Sequence, residues 1–248
     1  MSGLDWLTKR PVAHRGLHDA QRGIIENTPS AFAAAIAGGY GIECDLQITA
    51  DGEAMVYHDA ALGRLTEGSA RLDATTAAEL KRVSFKACAD RMITLGELCD
   101  LVAGQATLVI ELKSRFDGDR RLVTRAAQVL AAYRGPAALM SFDPAQVAAL
   151  REAAPALPRG MVAERRYRHH EWDALPAGRK RAMAYFGHVL RTRPQFIAYS
   201  VQDLPAPVPL VARNLFGLPL LTWTVRSEAD RQTAARWADQ VIFEGFRP

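Results

Sequence analysis

The feature that most restricts how this chain can fold is a repeated change of period along it. Short runs of β-branched and apolar residues stand at 11–16, 41–49, 107–113, 138–142, 159–163, 195–201, 220–225 and 240–244. Longer alanine- and leucine-rich stretches with helical spacing separate them. Two parallel strands can only be joined by a crossover of a dozen or more residues, and a helix supplies it, so this alternation argues for a parallel sheet. Eight such units in 248 residues predict an α/β fold closed as a (β/α)8 TIM barrel. The alternative is an open doubly wound sheet, but no glycine-rich dinucleotide fingerprint follows the first strand.

The helices announce their ends. Thr28 precedes Pro29 as an N-cap for a helix over 29–37, which Gly38-Gly39 stops. Thr94 and Glu97 have the spacing of a capping box for 94–102, Asp143 precedes a helix over 144–153, and Ser227 caps 228–237. Further helices are predicted at 75–82, 120–133, 178–190 and 208–215. After Asp51-Gly52 turns the chain, residues 54–58 read as an extension of the second strand. The looser region 59–91 is then a small insertion on the barrel after that strand, and the absence of repeats or linkers makes residues 1–248 one domain.

Composition narrows the setting. With 49% hydrophobic residues a sizeable core can form, and the mixed charges argue against disorder. The net charge of +4 suits an anionic substrate but is too small and scattered to predict nucleic-acid binding. Cys44, Cys88 and Cys99 match no disulfide or metal framework, which reads as reduced thiols. Residues 1–11 lack an apolar core of signal-peptide length, and no run approaches the roughly 20 apolar residues of a span. A soluble cytoplasmic protein without stable membrane insertion is the expectation. Nothing in the sequence addresses the oligomeric state.

The chemistry gathers where strands end. Glu43 and Asp45 are two residues apart on one strand, so they share a face while Cys44 takes the other. Glu111 and Lys113 repeat the arrangement on the next strand. Three carboxylates at the mouth of a barrel repel one another, and a divalent cation relieves them. An all-oxygen set favours a hard cation, Mg2+ or Ca2+. His14 and His58 close two neighbouring strand-like segments and are suited to carry protons near neutral pH. Arg15 can hold phosphate oxygens by paired donors, and Lys113 as a point charge.

These residues recur in motifs: His14-Arg15-Gly16, Glu26-Asn27-Thr28, Glu43-x-Asp45, Thr49-x-Asp51-Gly52, His58-Asp59, Arg64-x-Thr66-x-Gly68, Thr94-Leu95-x-Glu97 and Glu111-Leu112-Lys113. As a set they resemble the glycerophosphodiester phosphodiesterase family, densely over the first half of the chain. In the second half the resemblance rests mainly on Thr222-Trp223-Thr224-Val225. It implies a metal-dependent (β/α)8 barrel that hydrolyses small-molecule glycerophosphodiesters to glycerol 3-phosphate and an alcohol. By the same resemblance Glu43, Asp45 and Glu111 are the metal ligands, and His14 and His58 the acid/base pair. Arg15 and Lys113 contact phosphate, Trp223 lines the glycerol side, and the insertion after His58 is the family's small capping region.

The chain also departs from the family pattern. Glu244 stands where the family commonly has an aspartate followed closely by a proline, and Val225-Arg226 where it often has valine-asparagine. The basic stretch 165–193 has no family signature, and its His169 and His170 read as loop residues. Two other functions compete. A lysophospholipase D-type lipid phosphodiesterase would need a long apolar groove or a basic interfacial helix beside the site. A non-catalytic barrel that only binds phosphate would be favoured by loss of a histidine or an acidic ligand, and all are present.

Overall fold

The computed structural model describes residues 3–248, apart from the side chain of His170, so the reading of that residue as a loop histidine lies outside what is described. Nine strands form one sheet: β1 (Val12–Ala13), β2 (Gly41–Ile48), β3 (Ala54–Val56), β4 (Leu108–Leu112), β5 (Ala137–Ser141), β6 (Arg159–Ala163), β7 (Phe196–Ser200), β8 (Leu220–Val225) and β9 (Gln240–Phe243). Every neighbouring pair is parallel except β2 with β3, and β1 pairs with both β2 and β9. That double pairing closes eight parallel strands into a TIM barrel and leaves β3 as an extra strand outside the ring. Residues 54–56 therefore do not prolong the second strand. The turn at Gly52, with φ 81°, folds them back antiparallel on β2, pairing Leu46 with Val56 and Ile48 with Ala54.

Helices follow the strands as expected: α1 (Pro29–Ala37), α2 (Ala77–Leu80), α3 (Leu95–Val102), α4 (Arg121–Ala132), α5 (Pro144–Ala153), α6 (Ala177–Ala184), α7 (Val189–Thr192), α8 (Pro207–Phe216) and α9 (Glu228–Trp237). Capping boxes form at Thr94–Glu97, at Ser227–Asp230 and, in the insertion, at Thr76–Glu79. Asp143 caps α5 by accepting from the Ala145 N–H. Thr28 occupies the cap position of α1 without capping it, because its buried hydroxyl donates to the Ile25 carbonyl instead. The single helix expected at 178–190 is two. Phe186, at φ 52°, turns inward to pack with Leu204 and Ala206, and this breaks α6 from α7.

Alternation along each strand divides the core. Ile42, Cys44, Leu46, Leu108, Ile110 and Leu112 point outward under the helices. Val12, Val109, Ala138, Val162, Phe196, Ala198, Leu221 and Ile242 fill the barrel interior, with Leu4 and Leu7 packed against them. Gly160 stands beside Phe196 in register, and a Cβ there would meet the phenyl ring at 2.4 Å, so the absent side chain makes room for the ring. The stretch between β3 and α3 has a core of its own, in which Leu72, Leu80 and Phe85 pack on Met55 and Tyr57.

Phe196 is fully buried, and replacing it by alanine is expected to cost roughly 3–5 kcal/mol. Urea unfolding of Phe196→Ala checks this; a midpoint equal to the wild type would mean that the ring does not anchor the barrel interior.

Candidate active site

Barrel strands point their C-terminal ends at one rim, and main-chain bonds place the functional residues there. Beyond β1, the N–H of His14 donates to Phe243 O on β9, and that of Gly16 to Glu43 O on β2. Beyond β4, the N–H of Lys113 donates to Leu46 O. His58 follows β3, not a barrel strand. It reaches the rim because Tyr57 N–H donates to Asp45 O and the Gln47 amide donates to His58 O at 2.8 Å. The strand turned back by Gly52 thus brings the second histidine to the mouth of the barrel.

The two loops carrying the first motifs interlock. Arg15 and Asn27 both have left-handed backbone, at φ 54° and 56°, and Asn27 N–H donates to Arg15 O. Such conformations are uncommon for residues with a Cβ and concentrate at sites where the surroundings over-determine them. Gly16, at φ 80°, is required by its neighbours as well, because a Cβ there would meet the Ala31 backbone at 2.9 Å.

Glu43, Asp45 and Glu111 are buried, and each offers a carboxylate oxygen within 4.8 Å of the others. Two cations lie among them. Lys113 Nζ is 2.8 Å from Asp45 Oδ1 and 2.7 Å from Glu111 Oε1. Arg15 Nη1 is 2.8 Å from Glu26, while its Nε is 3.2 Å from Asp45 Oδ2 without hydrogen-bonding alignment. Asn27 completes Asp45 through its amide N–H at 2.8 Å. These partners divide the acids. Burial penalises the Asp45 carboxylate, but Lys113 and Arg15 overcome it and hold the carboxyl well below its ordinary range. Glu43 has the Arg15 main-chain N–H at 2.9 Å as its donor, so burial and then the charges of Asp45 and Glu111 push it well above that range. With only two cations among three acids this close, an added positive charge is needed before all three ionise, and the trio is compatible with a divalent cation.

Each histidine is backed by a carboxylate that an arginine holds in turn. His14 Nδ1 is 2.7 Å from Glu244 Oε2, and Arg226 Nη2 is 2.9 Å from the same oxygen. His58 Nδ1 is 2.8 Å from Asp59 Oδ1, and Arg64 pairs with both Asp59 and Glu26. Since the carboxylates accept, each Nδ1 carries the proton and leaves Nε2 to face the cleft. His14 Nε2 lies 3.9 Å from Glu43. Burial pushes the His14 pKa down to about 4 despite the bond to Glu244, so this ring is neutral at pH 7. Burial opposes ionisation of Asp59, yet His58 and Arg64 hold its pKa at about 2.

A cleft of about 310 Å³ is lined by His14, Arg15, Glu43, His58, Glu111, Lys113 and Trp223 together, so seven of the eight residues singled out in sequence open onto one space. The eighth, Asp45, lies beneath them, bonded to Lys113. Trp223 stands edge-on to Phe142, and its buried indole N–H has no partner among the described residues. A second chamber of about 520 Å³ adjoins this cleft across His58, Glu111 and Lys113. Sequence reasoning assigned no role to Asp59, Arg64, Glu26 or Asn27, although each lies inside a quoted motif. It left Glu244 and Arg226 as unexplained departures, whereas in the structure the two departures are each other's partners. In the basic stretch His169 also lines the cleft.

The fold and rim define a TIM barrel that gathers acidic residues, cations and two histidines around one cleft at its C-terminal rim. Residues 14–246 match the model of the glycerophosphoryl diester phosphodiesterase family, and the chain belongs to that family. It is 36% identical to a glycerophosphodiester phosphodiesterase of Caldanaerobacter subterraneus over 111 residues. That stretch is 42% of this chain and 44% of the relative, so less than half of the relative's length is matched. Among solved structures it resembles an Oleispira antarctica phosphodiesterase in complex with sn-glycerol-3-phosphate, with TM-score 0.76 over 94% of this chain and 91% of that one, at 19% identity. A Silicibacter pomeroyi structure superposes with TM-score 0.78 at 26% identity, covering 98% of this chain and 93% of that one. No helix among the described residues is long and apolar enough to cross a membrane.

The left-handed turn at Gly16 has a direct consequence. Gly16→Ala should lower stability by about 1–3 kcal/mol, because the new methyl meets Ala31 in a backbone conformation that disfavours it. Denaturant unfolding would reveal this, and an unchanged midpoint would show that the loop bearing His14 and Arg15 tolerates other geometries.

Proposed function

We propose that the chain hydrolyses glycerophosphodiesters to glycerol 3-phosphate and an alcohol, using a divalent cation and two histidines. The observation that carries the reading is the sharing of one cleft by an acidic trio, two cations and two histidines, each histidine with its Nδ1 bound to a carboxylate. Glu43, Asp45 and Glu111 would hold the cation, and their all-oxygen set suits Mg2+ or Ca2+. When bound, the cation supplies Lewis-acid polarisation of the phosphoryl group.

The remaining chemistry falls to the chain. Arg15 and Lys113 hold the non-bridging phosphate oxygens, the guanidinium by its fork and the ammonium by charge. The unpartnered Trp223 N–H meets an oxygen of the glycerol phosphate, which puts glycerol on the His14 side of the cleft. His14, neutral at pH 7 and with Nε2 free of its carboxylate, accepts the proton of the nucleophile, water or the glycerol 2-hydroxyl. The alcohol then extends into the adjoining chamber, which His58 also lines, so His58, in the imidazolium form with a proton on Nε2 as well as on the Nδ1 that Asp59 holds, gives the Nε2 proton to the departing oxygen. Glu244 and Asp59 keep the rings in the tautomer and orientation these roles need.

The lysophospholipid alternative calls for a long apolar groove. The adjoining chamber mixes charged residues, among them Arg71, Asp73 and Arg115, with Phe116, Phe142 and Trp172, a mixed wall rather than a long apolar groove.

Incubation with glycerophosphocholine and Mg2+ or Ca2+ should release glycerol 3-phosphate, and chelator should stop it. Full rate in chelator removes the cation from the mechanism, while no turnover with any metal favours a barrel that only binds phosphate. The division of labour between the histidines is tested by the leaving group. His58→Ala should lose on the order of 10²–10⁴-fold with glycerophosphocholine, yet far less with a p-nitrophenyl diester whose alcohol departs unprotonated. An equal loss on both substrates would transfer the acid role away from His58.

A further inference from the structure

His14, His18 and Glu244 form a second group of metal-ligating side chains at the rim, with one ligand atom from each lying within 4.8 Å of the others. The set differs in kind from the acidic trio. Two imidazoles and one carboxylate are borderline ligands that favour a transition-metal cation, whereas three carboxylates favour a hard one. His18 has no part in the mechanism proposed above and does not line the cleft. Its backbone is nonetheless held firmly in place, since Leu17 N–H donates to Ala31 O before it and Asp19 N–H to Ile24 O after it.

We propose that His14, His18 and Glu244 bind a transition-metal cation of the Zn2+ class, and that this binding inhibits the enzyme by capturing His14. The inhibitory half rests on the proton-transfer role proposed for His14; the binding half does not. A cation between His14 Nδ1 and Glu244 Oε2, now 2.7 Å apart, needs them to open to roughly 3.3 Å, the edge of a tetrahedron with bonds near 2.0 Å. Arg226, whose side chain is 57% exposed, is the cation it must displace from Glu244, and that exposure lets it swing into solvent. Metal takes the place of the proton on Nδ1, which passes through solvent to Nε2, and with Nε2 protonated the ring can no longer accept a proton from a nucleophile.

Binding and inhibition can be read separately on the full chain. In competition with a chromogenic chelator, without substrate, His18→Ala should hold Zn2+ at least about tenfold more weakly than the wild type. Co2+ should give visible absorption bands of a nitrogen-ligated, four- or five-coordinate site in the wild type, and these should fade in His18→Ala. With glycerophosphocholine and saturating Mg2+, Zn2+ should inhibit the wild type. His18→Ala should need about tenfold more Zn2+ while keeping its Mg2+-supported rate within about twofold. Unchanged Zn2+ affinity and inhibition in His18→Ala, relieved in proportion to added Mg2+, would put Zn2+ on the acidic trio and overturn the proposal. Should no diester be turned over at all, the proposed activity fails, and the chelator and Co2+ measurements still decide the metal site. His18→Gln, of similar bulk, replaces His18→Ala if the alanine variant does not fold.

Discussion

Three carboxylates buried at one end of a barrel are the constraint on which the rest of the site depends. Desolvation and mutual repulsion oppose their ionisation, so the protein must bring positive charge to them. Lys113 and Arg15 do so for Asp45, and Glu43 is left as the acid whose pKa rises. Arg15 reaches Asp45 from a left-handed backbone, beside a glycine at position 16 that is itself left-handed and with its carbonyl held by the Asn27 N–H. The left-handed loop, the interlocked Asn27 and the inward-pointing cations are thus consequences of one electrostatic problem. The acidic trio that results is compatible with a divalent cation.

The histidines depend on the closure of the barrel. His14 lies in the first strand–helix unit and Glu244 just past the last strand, 230 residues apart, and they meet because β1 pairs with β9. Ring closure brings residues from opposite ends of the sequence into one hydrogen-bonded pair. His58 takes a local route, in which the residue next to it in sequence is its carboxylate and Arg64 is the clamp five residues further on. The two rings reach the same arrangement by opposite means, one through topology and the other through adjacency. Sequence reasoning assigned neither pairing, although the second joins two adjacent residues of a quoted motif and the first has no local trace.

Much of the fold was legible because it rests on period. Alternation of side chains along β2 and β4 put Cys44, Ile110 and Leu112 under the helices and Glu43, Asp45 and Glu111 inside the barrel, as two-residue spacing dictates. Capping residues at Thr94, Asp143 and Ser227 did the same for helix starts. The expectations that needed correction turn on tertiary packing. Thr28 fails to cap because its hydroxyl has a nearer acceptor in Ile25. The helix expected over 178–190 breaks because Phe186 gains more by burial against Leu204 and Ala206 than by remaining in register on an exposed helix.

The sequence by itself determined the alternating architecture and which acidic residues share a strand face, because both are written in short-range spacing: a period of two on strands, a helical period between them, and charged residues where apolar runs stop. Tertiary structure alone decided which of those charges touch. Glu244 and Arg226, read in isolation, are two departures from a family pattern. Closure of the ring joins them into a clamp on His14, since a pairing across nearly the whole chain has no trace in local spacing. In the same way the loop residue His18 becomes a neighbour of His14 and Glu244 only when the Gly16 turn lays it against the rim.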